Sequence, residues 1–487
     1  MVWALFYWNT RKTIFRLRGA RGVPPCHNPS DSGVAMKTGC EACMGWNRPA
    51  RFKRICPLLK QHEKGTWVCS VNASEVRPFW GRAFGYYGSG LTVGYIILAA
   101  MAFGGMHYIG YQVSVRQIIW PPAWQELKGV RADLFIEQAR AKYAAGQVRE
   151  AIQSLSIAHE LNPKHYEVAM MLAQFHQAGS PTQTDRLYQQ QMELHPEKRS
   201  DIARAWFQSI LAHGRMMDMA KLARRQLSAE PAQAAAWTNA LLFATRHGVD
   251  PKILDEIVAS PTVPLPARQL IDLAAKSRQL PPDGALKLLI ETPLISGFPY
   301  DVVFRINELL RRGFPREAFA VLSQTRTMLP GRDVAKLIFA SYAELNNRER
   351  LRQEFAALLS PQRDLSATEC TLMAVHLISY PDPDLLNMLG EALPRVPLDP
   401  ANAWMEAAIA VFCAAGVQKD TAQMDGIRKL IQTNFDITPV GLDTLGLFFL
   451  GKVEIKRVEV LLPGLSPLSL ELNYALLDRY LIDAPAR

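Results

Sequence analysis

Five of the seven cysteines, Cys26, Cys40, Cys43, Cys56 and Cys69, precede residue 70, interleaved with His27 and His62. Zinc takes four thiolate or imidazole ligands in a tetrahedron, and the spacing Cys40-x-x-Cys43 delivers two of them from one tight turn. The other two would come from Cys26, Cys56 or Cys69. This segment has few core-forming residues, so a metal staple would supply what its hydrophobic burial does not. In a reducing compartment such cysteines point to metal rather than disulfides. The expected cofactor is therefore zinc. An iron–sulfur cluster, unliganded cysteines, or a disulfide framework under the reverse topology are the alternatives. A redox role of thioredoxin type needs a βαβ setting, which the flanking residues lack.

Other chemistry is not evident in the sequence. No H-E-x-x-H, G-x-S-x-G or G-x-x-x-x-G-K-[ST] pattern occurs, and Gly88-Ser-Gly90 follows no strand as a dinucleotide loop would. His159, His165, His176, His195 and His213 fall in successive helical segments, but no acidic residue or cysteine recurs with them at ligand spacing. The expectation is a protein that is not an enzyme.

The elements that would position these residues begin with charge. Of 55 Lys+Arg and 45 Asp+Glu, fourteen and four lie in residues 1–89, which leaves 41 against 41 in the rest. Between Arg82 and Arg116 runs a stretch of 33 residues with no Asp, Glu, Lys or Arg. About 20 apolar residues cross a bilayer core of roughly 30 Å, so this stretch reads as one transmembrane helix. Trp80 and Tyr86 before it, and Trp120 and Trp124 after it, suit the two interfaces. The basic flank places the N-terminus in the cytoplasm and the remainder outside. Asn72-Ala-Ser74, a glycosylation sequon, then falls on the cytoplasmic side. Gly90-x-x-x-Gly94 offers a close-approach face for a homodimer. His107 lies near the outer end of the span with no partner. Arg48, Arg51, Lys53 and Arg54, with Trp46, Phe52 and Trp67, could touch nucleic acid. Fixing topology and meeting anionic lipid is the favoured reading, so membrane lipid is an expected partner and nucleic acid is not.

Past Trp120-Pro-Pro-Ala-Trp124, glycines recur at Gly146, Gly179, Gly214 and Gly248, and prolines keep step at Pro163, Pro196, Pro231 and Pro264. The spacings are 33, 35 and 34 for glycine and 33, 35 and 33 for proline. Glycine can close a first helix in the left-handed conformation, and proline follows a second helix because it cannot continue one. Between them lie apolar positions at helical spacing, as in Ala151, Ile152, Leu155 and Ala158. This pattern resembles the tetratricopeptide repeat (TPR), a unit of about 34 residues built as paired helices. Residues 132–165 carry the best match, with Gly146 at the inter-helix turn, Ala151 and Ala158 at the small positions and Pro163 at the terminal proline. Asp185 and Met219 depart from the small position in their units. Gly313, Ala318, Leu322 and Pro330 mark a further unit. Asn347 marks the next, so that the resemblance covers about 132–265 and 299–362; Pro381-Asp382, Gly416 and Gly451 mark degenerate units, and Pro282 fills the gap after Gly248. Leu468 to Leu481 reads as a capping helix.

The resemblance implies an all-α, right-handed TPR-like solenoid whose first helices line a concave partner-binding face. By position that face carries Arg140, Gln174, Arg204, Gln208, Leu242, Thr245 and Arg246. Asp133, Glu167 and Asp201 stand where a carboxylate clamp would need bases. The expected organisation is a basic Cys-rich module (1–82), a transmembrane helix (83–117) and a Pro/Trp linker (118–131). TPR-like repeats (132–265), partly degenerate ones (266–365) and degenerate repeats with the capping helix (366–487) follow. The expected function is a membrane-anchored scaffold that binds peptides or helices of other envelope or membrane proteins. The alternative is a signalling or redox-responsive protein with the metal module as its output.

Overall fold

The computed structural model describes residues 59–61, 63–65, 67–69, 84–398, 403–435, 440–465 and 468–481. Cys26, Cys40, Cys43 and Cys56, and the sequon, lie outside them. The chain divides into two compact units, residues 1–162 and 163–487. Among the described residues, apart from one antiparallel pair, β1 (Leu59–Gln61) and β2 (Trp67–Cys69), the regular structure is helical.

In the first unit, a single π-helical turn (Phe84–Gly88) leads into α1 (Ser89–Ile109). At about 1.5 Å per residue, its 21 residues are long and apolar enough to cross a bilayer. Ala99 is its one buried residue, whereas Leu91 is 75% and Leu98 63% exposed. Gly110 ends the helix at φ 101°, donating its N–H to the carbonyls of His107 and Met106. A side chain there would be strained, which is why glycine sits at this stop. The chain then turns back. The Tyr95 hydroxyl donates to the carbonyl of Ile119, so α2 (Val115–Ile119) lies beside the first half of α1. Ala99, Val113 and Ile118 form a small core there, flanked by Phe103, Met106, Leu127 and Val130. Trp124 donates its indole N–H to the Ile118 carbonyl at 3.0 Å. The Trp-Pro-Pro segment is thus folded against its neighbours, and α3 begins at Leu127. The hairpin of α3 (Leu127–Ala144) and α4 (Val148–Leu161) closes this unit through the turn at Gly146, φ 76°.

The second unit continues as helical hairpins. The pairs are α5 (Tyr166–Gln177) with α6 (Pro181–Leu194), α7 (Arg199–Ala212) with α8 (Met216–Ala229), and α9 (Ala234–Arg246) with α10 (Lys252–Val258). Next come α11 (Leu265–Gln279) with α12 (Pro282–Glu291), α13 (Tyr300–Arg311) with α14 (Pro315–Thr325), and α15 (Gly331–Glu344) with α16 (Arg348–Leu358). Then follow α17 (Ala367–Ser379) with α18 (Pro383–Ala392), α19 (Ala403–Val417) with α20 (Thr421–Phe435), and finally α21 (Val440–Phe449) and α22 (Leu470–Tyr480). First helices start at intervals from 31 residues (Ala234 to Leu265) to 37 (Ala403 to Val440). The hairpins pack by equivalent positions near the start of each second helix. Ala151, Thr184, Met219, Leu254, Ala285 and Ala318 are all 0% exposed, and Leu351, Leu385 and Met424 are buried in turn. Counting 33 residues from Ala151 lands on Thr184, so Asp185 is displaced from the packing position. It instead pairs with Arg215 at 2.7 Å and accepts from the Trp206 indole. The later turn markers shift similarly. The left-handed residues are Asn346 and Lys419, one and three positions from Asn347 and Gly416, whereas the marker Gly451 is itself left-handed at φ 68°. Asn347 caps α16 by accepting from the Arg350 N–H, and a Cβ on Gly416 would collide with the Phe449 ring.

Successive hairpins are also stitched one period apart. Side chains reach back to a main-chain carbonyl of the preceding hairpin. Arg278 donates to Leu242 (3.2 Å), Arg312 to Ser277 (2.8 Å), Arg395 to Leu359 (2.6 Å) and Gln423 to Leu386 (3.0 Å). Those that arginine donates are charge-assisted.

Candidate partner-binding face

The face formed by the first helices of the hairpins is where the sequence places partner contacts. In the first unit, Arg140 is exposed on α3. In the second, Gln174 on α5 and Arg204 on α7 are exposed, and Gln208, one turn beyond Arg204, is half-buried. Further along, the expectation fails. Leu242 and Thr245 are 4% and 7% exposed. The Leu242 carbonyl is taken by Thr245 Oγ1 and by Arg278, so these two residues pack the interior and offer no contact surface. Arg246 is half-buried above the Phe243 ring, 5.3 Å from its centroid.

Beside Leu242 and Thr245, Phe243 and His247 meet α22. A terminal cap touches only the last unit of a stack, but α22 packs on α7 and on α17, elements more than 150 residues apart in sequence. Its Tyr474 ring stands edge-on to Phe243 at 4.6 Å and lies 6.4 Å from Phe207. Asp478 accepts from His247 Nε2 at 2.9 Å, Glu471 pairs with Arg332 of α15 at 3.1 Å, and Arg479 donates to the Ile378 carbonyl at 2.9 Å. Leu472, Leu476 and Leu477 are 0% exposed. Burial raises the Tyr474 phenol well above its ordinary range, with nearby Tyr300 adding to it. Burial alone would raise the Asp478 carboxyl, but His247 and Arg246 outweigh it and hold the group charged. The α22 sequence carries a usable signal, since Leu472, Leu476 and Leu477 form an apolar stripe at helical spacing. Glu471 and Asp478 read in the sequence as an ordinary solvated face, so their pairing with Arg332 and His247 had no signal there.

Among the described residues, no group of three or more His, Cys, Asp and Glu side chains could hold an ion. His195 spans Lys164 and Glu197 at 2.9 and 3.0 Å, and His213 bonds the Ser209 carbonyl. Cys69 lies in β2 opposite Leu59, while the other proposed ligands, Cys26, Cys40, Cys43 and Cys56, fall outside the described residues. Cys370 and Cys413 are buried and free, and burial pushes the Cys370 thiol up to about 12, which keeps it protonated and unreactive. No family model, curated protein or solved structure matches the chain.

Proposed function

We propose that the chain is a membrane-anchored scaffold of TPR-like hairpins that binds segments of other membrane or envelope proteins. The regular hairpins carry this reading, with their matched buried positions from Ala151 to Met424 and their side chain-to-carbonyl stitches one period apart. Such stacks act as extended binding surfaces. Gln174, Arg204 and Gln208 on α5 and α7 are the positions of the second unit that remain available, and their polar and basic groups suit backbone amides or acidic side chains. The apolar, exposed α1 supports the anchor, because a helix presenting Leu91, Ile97 and Leu98 to water is costly. On this reading the basic N-terminal flank is cytoplasmic, the hairpins are extracytoplasmic, and the Gly90–Gly94 face is free for a second copy, since a side chain there would meet nothing. The proposed zinc module precedes the anchor.

A photo-crosslinking residue at Gln174 or Arg204, in the full chain in native membranes, tests the binding face. The control is the same residue at Arg225 on α8, which belongs to a second helix. Capture of membrane proteins from Gln174 and Arg204 but not Arg225 is the expected result, and equal capture from all three would sink the assignment. Alkaline extraction that releases the chain from membranes would overturn the anchor.

A further inference from the structure

Lys221, Arg225 and Ser228 follow one another at steps of four and three residues on α8, which places them on one side of that helix. With Arg224 they form one wall of a cleft of about 420 Å³. The other wall is the end of α10 and the loop after it, through Ser260 and Thr262. Ile257 and Val263, 1% and 3% exposed, supply its buried apolar part. Two bonds tie the walls together: Arg224 pairs with Glu256, and Ser228 Oγ lies 3.0 Å from Thr262 Oγ1.

Three cations and three hydroxyls line this cleft, and no carboxylate does. Asp218 is committed to Arg215 at 2.7 Å and lies 3.7 Å from Lys221, while Glu256 is taken by Arg224. No described carboxylate pairs with Arg225, which is exposed. An exposed ion pair is worth roughly 0–1 kcal/mol, so Lys221 is free to turn to a stronger partner. The hydroxyls have a proton to spare. Ser260 Oγ lies 2.9 Å from Thr262 Oγ1, so the three share two bonds among them and one O–H is left to donate. An ammonium, a guanidinium and a hydroxyl donor in one concavity suit an oxyanion. The volume sets its size: small-molecule sites begin at roughly 300 Å³, and a lone inorganic ion would leave Ile257 and Val263 uncovered.

We propose that the cleft between α8 and α10 binds a phosphate monoester. Lys221, Arg225 and the hydroxyls of Ser228, Ser260 and Thr262 hold the phosphate, and the organic part lies on Ile257 and Val263. The site belongs to the second helices of two successive hairpins, and it stands whether or not a protein binds Gln174, Arg204 and Gln208. A ligand bridging α8 and α10 fastens those two hairpins to each other.

The test is calorimetric titration of the full chain in detergent micelles, with sodium chloride at matched ionic strength as the reference. Phenyl phosphate is the soluble probe and inorganic phosphate its comparison. The site predicts saturable binding of phenyl phosphate, tighter than that of inorganic phosphate. Arg225→Gln should weaken it about tenfold or more, the loss of one charge-assisted bond. Thr262→Val, which removes the middle hydroxyl, should weaken it too. Arg225→Gln breaks no described ion pair and should fold with an unchanged Tm; if it does not, Lys221→Met takes its place. The same group is carried by soluble esters and by the headgroup of phosphatidate. Saturable heat with phenyl phosphate assigns a soluble ester, and heat only with phosphatidate-doped micelles, lost in Arg225→Gln, assigns a lipid headgroup. Equal affinity for phenyl phosphate and inorganic phosphate overturns the ester assignment. No saturable heat with any of these probes, or binding unchanged in both Arg225→Gln and Lys221→Met, overturns the site.

Discussion

His376 on α17 is 7% exposed, stacked against Tyr380 at 5.1 Å and set edge-on to Phe339 at 5.5 Å. Burial drives its pKa down to about 4, with Asp382 opposing weakly. The folded value is below the unfolded one of about 6.5, so its contribution to stability is complete above pH 6.5 and is lost as pH falls towards 4. The full effect is about 3 kcal/mol. Urea melts at pH 7 and pH 4.5 should show this loss, and His376→Phe should flatten it; an unchanged pH slope in that variant would place the acid sensitivity elsewhere. Gln226 presents the opposite case. It is 0% exposed, and neither its amide nitrogen nor its oxygen has a hydrogen-bond partner, whereas Gln191, at the same place one hairpin earlier, donates to Pro163. Replacing an unsatisfied buried amide by an apolar group of similar size removes a desolvation penalty. Gln226→Leu should therefore raise stability by about 1 kcal/mol, measured as a higher urea midpoint at constant m-value; a loss would indicate that a buried water completes the amide.

At the scale of elements, the connection between α12 and α13 depends on one ion pair. Arg305 and Asp301 are 2% and 0% exposed and bond at 2.7 Å. Arg305 also donates to the carbonyls of Leu289, Thr292 and Pro293, and Asp301 accepts the Ile295 N–H. Arg305→Met leaves a buried carboxylate alone and should cost about 3–5 kcal/mol. Adding Asp301→Leu should restore part of it, and the urea midpoints of the two variants test the pairing. Such a network has no sequence signature, since Asp301 and Arg305 read as an ordinary i,i+4 surface pair. The hairpins themselves were legible because Gly146, Gly214, Gly248 and Gly313 had to be left-handed and the prolines kept the same period. Beyond residue 330 two turns passed to Asn346 and Lys419, which adopt that conformation without announcing it, while Gly451 kept it at φ 68°. Around α1 the length and apolarity were readable, but the return of α2 was not. The bond from Tyr95 to Ile119 brings the Arg116–Glu126 pair, 3.5 Å apart, beside the helix. Charges at that position are expensive in hydrocarbon, so insertion of α1 should release the segment. Cysteines at Tyr95 and Ile119 should cross-link in detergent and not in lipid bilayers; equal cross-linking in both would place α1 outside the hydrocarbon.

The second unit as a whole departs from a chain of nearest neighbours because α22 joins α7 to α17. A linear stack would confine damage to adjoining hairpins. Tyr474→Ala deletes the ring between Phe207 and Phe243 and should cost about 3–5 kcal/mol, as large aromatic truncations do. Hydrogen exchange should then lose protection in α7 and α17 together while α13 and α14 keep theirs. Loss confined to α22 and α21 would make α22 a simple terminal cap. The same bridge has a mechanical consequence. An open coil of hairpins is a soft spring, since bending it costs only small changes at each joint, summed over many. A strut fixed at two distant points removes that soft mode, and a load applied to α5 would reach α18 through α22 rather than by stretching the hairpins between.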